Sequence, residues 1–486
     1  MTDLRDRFLG NGDFLLHPGK VLLPEGPRSG IGIVVRKGRF SEIGAAGLVG
    51  SRNPDLRPIE LPHHLVMPGF IDTHTHLTQS LGKSLVFGEP SEIFRRIWVP
   101  LEGSLDERMV YLSAKLAALE CLRGGFTAAV DAGTRSAGHM DALIRAARET
   151  GLRSVIGLIC NDLGGAAVVP DRTTILRNAA GHLAAFEGDS LVHPSLAISI
   201  PEAASDHMLA DVSSMAREAG VIFQTHVNEH LVAVERSLVA NGRRPLEHLA
   251  HLGALGPHVL IAHSTLVTPH ELNLLRHSDT AVAYNPVASL WKGNAIAPAL
   301  QMAALGIRFG LGTDGTRADG FRLMDAAEGL QRAGFGLATG DSSCGGGWLW
   351  IDRATAQAAD AAGLGCVTGA IREGTAQAAD AAGLGCVTGA IREGLAADFL
   401  LVDLDRPEFT PSHDLMWELV RYGNRDQIDA VFTAGMLRLW QGWPVQWDAR
   451  ALLAEVREVT ADAIARAPIQ RVHKPSAEHR ALGHFA

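Results

Sequence analysis

Two histidines flank a single threonine in the segment DTHTHLTQS, which spans residues 72–80 and follows VMPGF after one isoleucine. Alternate side chains of a β-strand project to the same face, so His74 and His76 are predicted to enter one space together. Two neutral imidazoles that converge in this way can begin a metal site. Two ligands do not complete such a site, and a chain with 21 histidines can also place this pair on a strand by chance. Both interpretations stay open on this segment alone.

Other residues that bind metals or carry protons occur where further apolar segments end. VIFQTHVNE contains His226 and Glu229, VLIAHS contains His263, and RFGLGTDG contains Asp314. The carboxyl ends of parallel strands in a barrel meet at one rim, so residues this far apart in the chain can converge there. A single histidine or aspartate at a strand end is more often a hydrogen-bonded polar residue or a helix N-cap. The whole set, taken with the first histidine pair, favours a metal site beside a proton carrier.

These residues are spaced by a regular alternation of strand and helix signals. Eight short apolar segments with strand character lie between residues 70 and 314. The segments between them, such as DERMVYLSAKLAALECLRGG and MDALIRAARETG, have helical character. This alternation predicts the α/β class with parallel strands, and eight units predict a closed (β/α)8 TIM barrel.

The pattern of strand and helix signals divides the chain into four parts. Residues 1–66 read as short strands separated by Gly and Pro turns, which predicts a small β unit. Residues 67–394 are assigned to the barrel. Strand signals return in DFLLVDLD and IDAVFTAGMLRLWQG over residues 395–445, and residues 446–486 are predicted to be a helix followed by a polar tail.

The composition argues against several classes of function. The 486 residues are 47% hydrophobic and carry a net charge of −9, which gives no general attraction to nucleic acid or to anionic membranes. No apolar stretch approaches the ~20 residues of a membrane span, and the N-terminus lacks the pattern of a signal peptide. The five cysteines include no CxxC pair, so we expect a reduced compartment, with the cytoplasm as the default location.

Several motifs together resemble the amidohydrolase superfamily. They are VMPGFIDTHTHL, QTHVNEH, GRRPLEHLAHLGALGPHVLIAHSTLVTPHEL, YNPVASL and LGTDG. The resemblance extends over nearly the whole chain and is strongest to the chlorohydrolase/deaminase branch, which includes guanine, S-adenosylhomocysteine/methylthioadenosine and s-triazine hydrolases. It implies a (β/α)8 barrel with a small β-sandwich domain built from both chain ends, and a homo-oligomer, dimeric or larger.

The resemblance also implies roles for the residues at the strand ends. The positions that match the metal ligands of mononuclear relatives are His74, His76, His226 and Asp314. His263 matches the histidine that polarises the substrate or the attacking water, and Glu229 matches the glutamate that shuttles protons. Binuclear relatives use a modified lysine on the fourth strand, and LAISIPEA has none. One divalent ion per chain is therefore expected, Zn or Fe, with Mn possible.

Candidate substrate-binding residues are less clearly marked. Glu102 lies in IWVPLEG, which is similar to a family segment whose glutamate holds ribose. Because IWVPLEG has an inserted valine, the alternative is that Glu102 is a residue at the start of a helix. Asn285 in YNPVASL and Arg317 after Asp314 are further candidates, the latter with a solvent-exposed arginine as the alternative. Trp348 can line the pocket or pack a helix. The segment SIPEAASDH departs from the histidine-containing pattern of adenosine-type relatives, which argues against a nucleoside.

Three hypotheses of function follow. The first is metal-dependent hydrolytic deamination of a small aminated nitrogen heterocycle, a purine, pterin, pyrimidine or triazine, with release of ammonia. The second keeps the hydrolase but changes the leaving group to chloride, an alkylamine or a thiolate. The third is a catalytically silent scaffold, which the complete ligand set disfavours. Glu229 favours the amine, because an amine leaves poorly without a proton donor.

A sequence of twenty residues, TAQAADAAGLGCVTGAIREG, occurs twice in succession at 355–374 and 375–394. Two copies do not build a solenoid, which needs at least about three. Related chains pass through such a segment once, between the last barrel helix and the β-sandwich. Residues 355–364 are therefore predicted to form that helix and residues 385–398 to return to the strands, so that about 365–384 loop out as a surplus.

Overall fold

The structure is a computed structural model that describes residues 4–9, 12–89, 92–163, 171–186, 188–315, 318–364, 387–473 and 478. Its strands are β1 (Phe14–Leu23), β2 (Gly26–Arg28), β3 (Ile31–Arg36), β4 (Arg39–Ala45), β5 (Pro58–Pro68), β6 (Phe70–Thr75), β7 (Phe126–Asp131), β8 (Arg153–Ile159), β9 (Val192–Ala197), β10 (Phe223–Val227), β11 (Val259–His263), β12 (Ala281–Tyr284), β13 (Phe309–Leu311), β14 (Phe399–Asp403), β15 (Ile428–Thr433), β16 (Met436–Trp440) and β17 (Trp443–Pro444).

The α-helices of the described residues are Ala46–Arg52, Val99–Glu102, Glu107–Arg123, Met140–Thr150, Arg172–Ala184, Asp206–Glu218, Leu231–Asn241, Pro245–His251, Pro269–Ser278, Pro286–Lys292, Ala299–Ala304, Gly320–Gln331, Leu337–Thr339, Gly346–Ala354, Ala356–Ala361, Leu415–Arg421 and Ala449–Arg466. Within the described part of the chain, no helix combines the length and the apolar composition that crossing a lipid bilayer requires.

Eight strands, β6 to β13, pair with their neighbours in sequence order and form one sheet. Each of these pairings is parallel, and helices connect the strands, as the alternation in the sequence predicted. The first and last strands of this sheet also meet, because the backbone N–H of Asp314, just after β13, donates to the carbonyl of His74 in β6 at 2.8 Å. The predicted (β/α)8 barrel is therefore confirmed, and the C-terminal ends of its strands share one rim.

The first copy of the repeated sequence contributes to the barrel core. Its helix Ala356–Ala361 buries Ala358 and Ala359 in a cluster with Ile71 of β6 and Leu260 of β11. Small alanine side chains allow the helix to approach the strands closely, and this cluster also contains Ile222, which directly precedes β10. The helix therefore packs near the beginnings of the strands, at the opposite end from the rim.

The two chain ends form a second sheet of nine strands in the order β17-β16-β15-β14-β5-β1-β3-β4, with β2 paired to β1. Phe14 of β1 and Phe432 of β15 lie three strand steps apart in this order, which is about 14 Å in a flat sheet. Their ring centroids are nevertheless 5.7 Å apart. The sheet thus curls around its own aromatic core, and both chain ends build the second domain, as expected from the resemblance.

A buried ion pair joins the barrel to this second sheet. The guanidinium of Arg153 in β8 donates to both carboxylate oxygens of Asp398, at 2.8 and 3.1 Å. Both side chains are almost fully buried, at 1% and 0% exposed. The same carboxylate accepts the backbone N–H of Ala434 at 2.6 Å. Loss of one partner would leave a buried charge unpaired, a change that typically costs ~3–5 kcal/mol of stability.

The two described residues that border the undescribed part of the duplicated segment, Leu364 and Val387, lie next to each other. Residues 365–386, which contain the predicted surplus 365–384, are outside the described residues. The backbone N–H of Val387 donates to the carbonyl of Leu364 at 2.9 Å. From there the chain returns to the second sheet, where Ala397 N–H donates to Gly38 O at 2.8 Å. The return predicted for residues 385–398 is thus seen over its described part.

Candidate metal and catalytic site

Three imidazoles from two barrel strands converge at the rim. His74 lies in β6, His76 directly follows it, and His226 lies in β10. The β6 pair faces one space, as the alternation of a strand requires, with ring centroids 5.0 Å apart. Nε2 of His226 is 3.3 Å from Nε2 of His76, and its Nδ1 contacts the carbonyl of Ser199 at 2.7 Å. A carbonyl only accepts, so Nδ1 carries the proton and Nε2 presents a lone pair.

Asp314 completes this group from the end of β13. Its Oδ1 is 3.5 Å from Nε2 of His74 and 3.4 Å from Nε2 of His76. The preceding Thr313 fixes it, because both the N–H and the hydroxyl of Thr313 donate to Asp72, at 2.9 and 2.5 Å. Gly312 is required for the close approach: a Cβ there would lie 3.0 Å from Cβ of His74 and would overlap a neighbouring amide oxygen.

The donor set fits a divalent metal ion. One ligand atom from each of His74, His76, His226 and Asp314 lies within 4.8 Å of all the others. Nε2 of His74 is buried without a hydrogen-bond partner among the described residues, which is costly unless the nitrogen serves another purpose. Three imidazole nitrogens and one carboxylate oxygen are ligands that zinc and other first-row ions accept.

A second group lies beside the first and shares Asp314. It contains His263, the last residue of β11, and Glu229, in the loop after β10. Nε2 of His263 is 3.5 Å from Oε2 of Glu229 and 4.0 Å from Oδ2 of Asp314. The side-chain amide of Asn285 lies 3.2 Å from Nδ1 of His263. When the amide nitrogen donates there, the ring carries its proton on Nε2, toward the two carboxylates.

Lys292 also enters the site, which the sequence patterns did not indicate. Its ammonium donates to Oε1 of Glu229 at 2.7 Å and to Oδ2 of Asp314 at 2.5 Å. The residue ends the helix Pro286–Lys292, which follows β12 and is terminated by Gly293 at a φ of 67°. A lysine soon after a strand end is the only signal in the sequence, and it does not show whether the side chain turns toward the rim or toward solvent.

Burial and neighbouring charges set the protonation of these groups. Burial lowers the pKa of His263 to about 3, against the opposing effect of Glu229. Burial and the neighbouring histidines hold the pKa of His226 well below its usual value. Burial alone would raise the pKa of Glu229, but His263 and Lys292 outweigh it and hold that pKa well below normal. His226 and His263 are therefore neutral, which leaves His226 able to bind a metal ion, while Glu229 is ionised.

A cavity opens above both groups. It is lined by His76, His226, Glu229, Lys292 and Asp314, and on its other walls by residues that include Trp98 and Glu202. Its volume of about 90 Å³ is several times the ~10–15 Å³ that one water molecule needs. The reactive groups thus face a space that can hold a small ligand together with water.

The three candidate substrate-binding residues that the structure describes do not line this cavity. Glu102 is fully buried and accepts hydrogen bonds from Thr78, at 2.6 Å, and from Arg135. Asn285 contacts His263 beneath the cavity. Trp348 lies in the helix Gly346–Ala354 with 39% of its surface exposed. None of these three is among the described residues that line the cavity. Arg317 lies outside the described residues.

Comparison with known proteins gives concordant matches over most of the chain. The sequence matches the profile of the Amidohydrolase family over residues 65–437. A 5-methylthioadenosine/S-adenosylhomocysteine deaminase of Syntrophobacter fumaroxidans is 28% identical over 455 residues, covering 92% of this chain and 96% of that protein. A 5'-deoxyadenosine deaminase of Methanopyrus kandleri is 28% identical over 398 residues, covering 81% and 85%.

The fold has close counterparts among solved structures. An adenosine deaminase from Xanthomonas campestris, solved with bound zinc, superposes with a TM-score of 0.82 at 23% identity. The match covers 93% of this chain and 99% of that one. It shows that the barrel and the second domain are arranged alike in the two proteins.

Proposed function

Because this chain belongs to the Amidohydrolase family, we propose that it is a metal-dependent hydrolase that deaminates a small aminated nitrogen heterocycle. The reaction replaces an exocyclic amino group with oxygen from water and releases ammonia. The observation that carries this proposal is the shared cavity: His76, His226 and Asp314 line it together with Glu229, and His74 and His263 complete the two groups to which these residues belong. The deaminase names of relatives that match most of the chain support the same reaction.

The four ligand residues would hold one divalent ion, for which we propose zinc or iron, with manganese as a further option. When bound, such an ion would lower the pKa of a coordinated water molecule from 15.7 toward ~7. The zinc in the related fold from Xanthomonas campestris agrees with the first of these choices. In the described residues of β9, no lysine is present that could bridge a second ion, which supports a single one.

The remaining groups move protons at defined atoms. Asp314 accepts the proton that the attacking water gives up, since its Oδ1 faces the ligand nitrogens. Glu229, which is ionised at rest, takes a proton from water and delivers it to a ring nitrogen of the substrate, which makes the adjacent carbon electrophilic. The second proton of that water, which Asp314 accepts, passes through Glu229 to the departing amine. His263 donates from Nε2 and polarises the substrate or the attacking water at the reacting carbon. Proton transfer by such positioned groups typically contributes ~10²–10⁴-fold.

We also propose a cytoplasmic location and a homo-oligomeric state. The described cysteines, Cys121, Cys160 and Cys344, are all free and buried, as expected of a chain that works in a reducing compartment. Exposed apolar side chains such as Val239 and Leu337, at 90% and 97% exposed, are compatible with contacts between subunits. Light scattering of the purified protein tests the oligomeric state.

A substrate screen tests the reaction itself. The metal-loaded enzyme is incubated with aminated and halogenated purines, pterins, pyrimidines and triazines, and ammonia and chloride are measured in parallel. We expect ammonia from at least one aminated heterocycle, and its loss in Glu229→Gln. Release of chloride without ammonia from any compound would instead favour hydrolytic dechlorination, and no release of either would contradict the proposal.

A further inference from the structure

Glu202 lines the same cavity as the metal and catalytic groups, but neither group uses it. It lies in the short 3-10 helix Pro201–Ala203, which follows β9 at the rim. The cavity wall contains Glu202 together with His226 and Glu229. Its carboxylate is therefore placed to meet a ligand whose reacting end lies at the metal group.

One oxygen of this carboxylate lacks a partner. Oε1 of Glu202 is buried and makes no hydrogen bond within the described residues. Burial raises the pKa of Glu202, and Arg236 and Arg95 only partly oppose this effect. A buried acceptor without a donor costs free energy, so such groups are usually satisfied by a ligand or by water.

The other acidic side chains of the cavity wall already have partners. Lys292 donates to both Glu229 and Asp314. Glu92 accepts a hydrogen bond from Arg236. Among the described residues that line the cavity, Glu202 is thus the acidic side chain that keeps a buried acceptor oxygen without a hydrogen-bond partner.

The backbone around Glu202 is held in place on both sides. Before it, the N–H of Ser199 donates to Oδ1 of Asn161 at 3.0 Å. After it, the N–H of Ser205 donates to Oδ1 of Asp162 at 2.6 Å. A fixed backbone gives the carboxylate a defined position, which is what discrimination between similar ligands requires.

From this placement we propose that Glu202 is a specificity-determining residue that accepts a hydrogen bond from a donor on the substrate, remote from the amino group that leaves. The substrate class is then a heterocycle with a second donor, either an amino group on the ring or a hydroxyl group on a substituent. This inference rests on the proposed deamination. A site built around an acceptor rejects analogues that lack the donor, because the acceptor is then left unpaired.

Matched pairs of compounds test this inference and distinguish the two sources of the donor. The ring-donor pairs are 2,6-diaminopurine with adenine, and 2,4-diamino-1,3,5-triazine with 2-amino-1,3,5-triazine. The hydroxyl pair is 9-(2-hydroxyethyl)adenine with 9-ethyladenine. For each pair, the dissociation constant is measured by calorimetry and kcat/KM by ammonia release, in the metal-loaded wild type, Glu202→Ala, Glu202→Gln and the control Glu235→Gln. Glu235 is exposed on the helix Leu231–Asn241, and thermal unfolding checks that each variant is folded.

We expect the wild type to prefer the donor-bearing member of at least one pair by about tenfold or more, the usual size of a hydrogen bond to a charged group. Glu202→Ala should abolish this preference by weakening the donor-bearing member alone. Glu202→Gln retains an acceptor oxygen and should therefore retain part of this preference. The control variant should behave as wild type.

Two results overturn the inference: a preference that survives in Glu202→Ala, or the absence of any preference in the wild type across all pairs. Failure to bind any donor-bearing compound at millimolar concentration overturns it as well. Binding with the expected preference but without ammonia release contradicts the proposed deamination alone and leaves the role of Glu202 supported.

Discussion

Nε2 of His226 lies 3.3 Å from Nε2 of His76, although 150 residues separate them in the chain. Because Nδ1–H of His226 donates to the Ser199 carbonyl, Nε2 of His226 offers a lone pair at this contact. Burial is the main cause that lowers the pKa of both rings, so neither imidazole gains a second proton and a positive charge. A divalent ion held by both nitrogens would resolve this arrangement.

His74→Ala and His226→Ala should each remove the bound metal and the turnover. Each substitution takes one of three imidazoles from the ligand group, and the remaining set is incomplete. Elemental analysis of the purified wild type should give about one divalent ion per chain. The matched control is His277→Ala, an exposed histidine on the helix Pro269–Ser278, which should keep both. Two tightly held ions per chain, or full activity in either ligand variant, would contradict the single-metal assignment.

Glu229→Gln should keep the metal and lose ~10²–10⁴-fold in kcat for an amine substrate. The amide has nearly the same shape but cannot carry the proton from water to the ring. Metal content and kcat are measured on the same preparation, with Glu235→Gln as control. Unchanged turnover with an amine leaving group would show that Glu229 has a structural role only.

Lys292→Met should tighten the binding of a divalent ion by about tenfold or more. The ammonium contacts both Glu229 and Asp314, so it repels a cation held by the same carboxylates. Two unit charges about 4 Å apart interact by roughly 4 kcal/mol at a dielectric constant near 20, and a third of that value is already a tenfold change. Chelator competition measures the affinity, with Lys83→Met, whose amine pairs with Glu120 away from this group, as control. Weaker metal binding in Lys292→Met would show that the lysine supports the site.

His193 should make the protein less stable as the pH falls below neutrality. Burial first, and then the Arg153 charge, lower the pKa of His193 in the fold from 6.5 to about 4. Between those values the unfolded chain binds a proton that the folded chain does not, so stability falls as pH falls. At pH 5 this amounts to about 2 kcal/mol.

His193→Gln should therefore lose about 2 kcal/mol less stability than wild type between pH 7 and pH 5. Urea unfolding at both pH values gives the free energies of unfolding. His270→Gln, at an exposed position of the helix Pro269–Ser278, is the control and should follow the wild type. An identical loss in His193→Gln and wild type would show that the imidazole takes up its proton in the fold without strain.

Deleting one twenty-residue copy should leave a folded, metal-loaded enzyme. The deletion connects Leu364 to Gly385, so Val387 becomes the third residue after Leu364. The hydrogen bond from Val387 N–H to Leu364 O, 2.9 Å long, is then the i to i+3 bond of an ordinary β-turn. Thermal unfolding and metal content of the shortened chain should match those of the full chain. An insoluble product would mean that the extra copy is part of the core, and a changed substrate range or oligomeric state would reveal a role at the surface.

The sequence alone determined the features that depend on local periodicity. Strand alternation placed His74 and His76 on one face, and the eight apolar segments with intervening helices predicted the barrel and its shared rim. Both follow from short-range geometry, because a strand repeats every two residues and parallel strands need crossover helices. The residues at the four strand ends are brought together for the same reason.

The tertiary structure decided the features that depend on how loops fold over the rim. Glu102 is tied to Arg135 inside the protein, whereas Lys292 and Glu202, which the sequence patterns did not single out, face the cavity. A charged side chain in a loop has no periodic signal, and its direction is set by packing and by hydrogen bonds to residues distant in the chain. The partners of a buried carboxylate are therefore known only once the chain has folded around it.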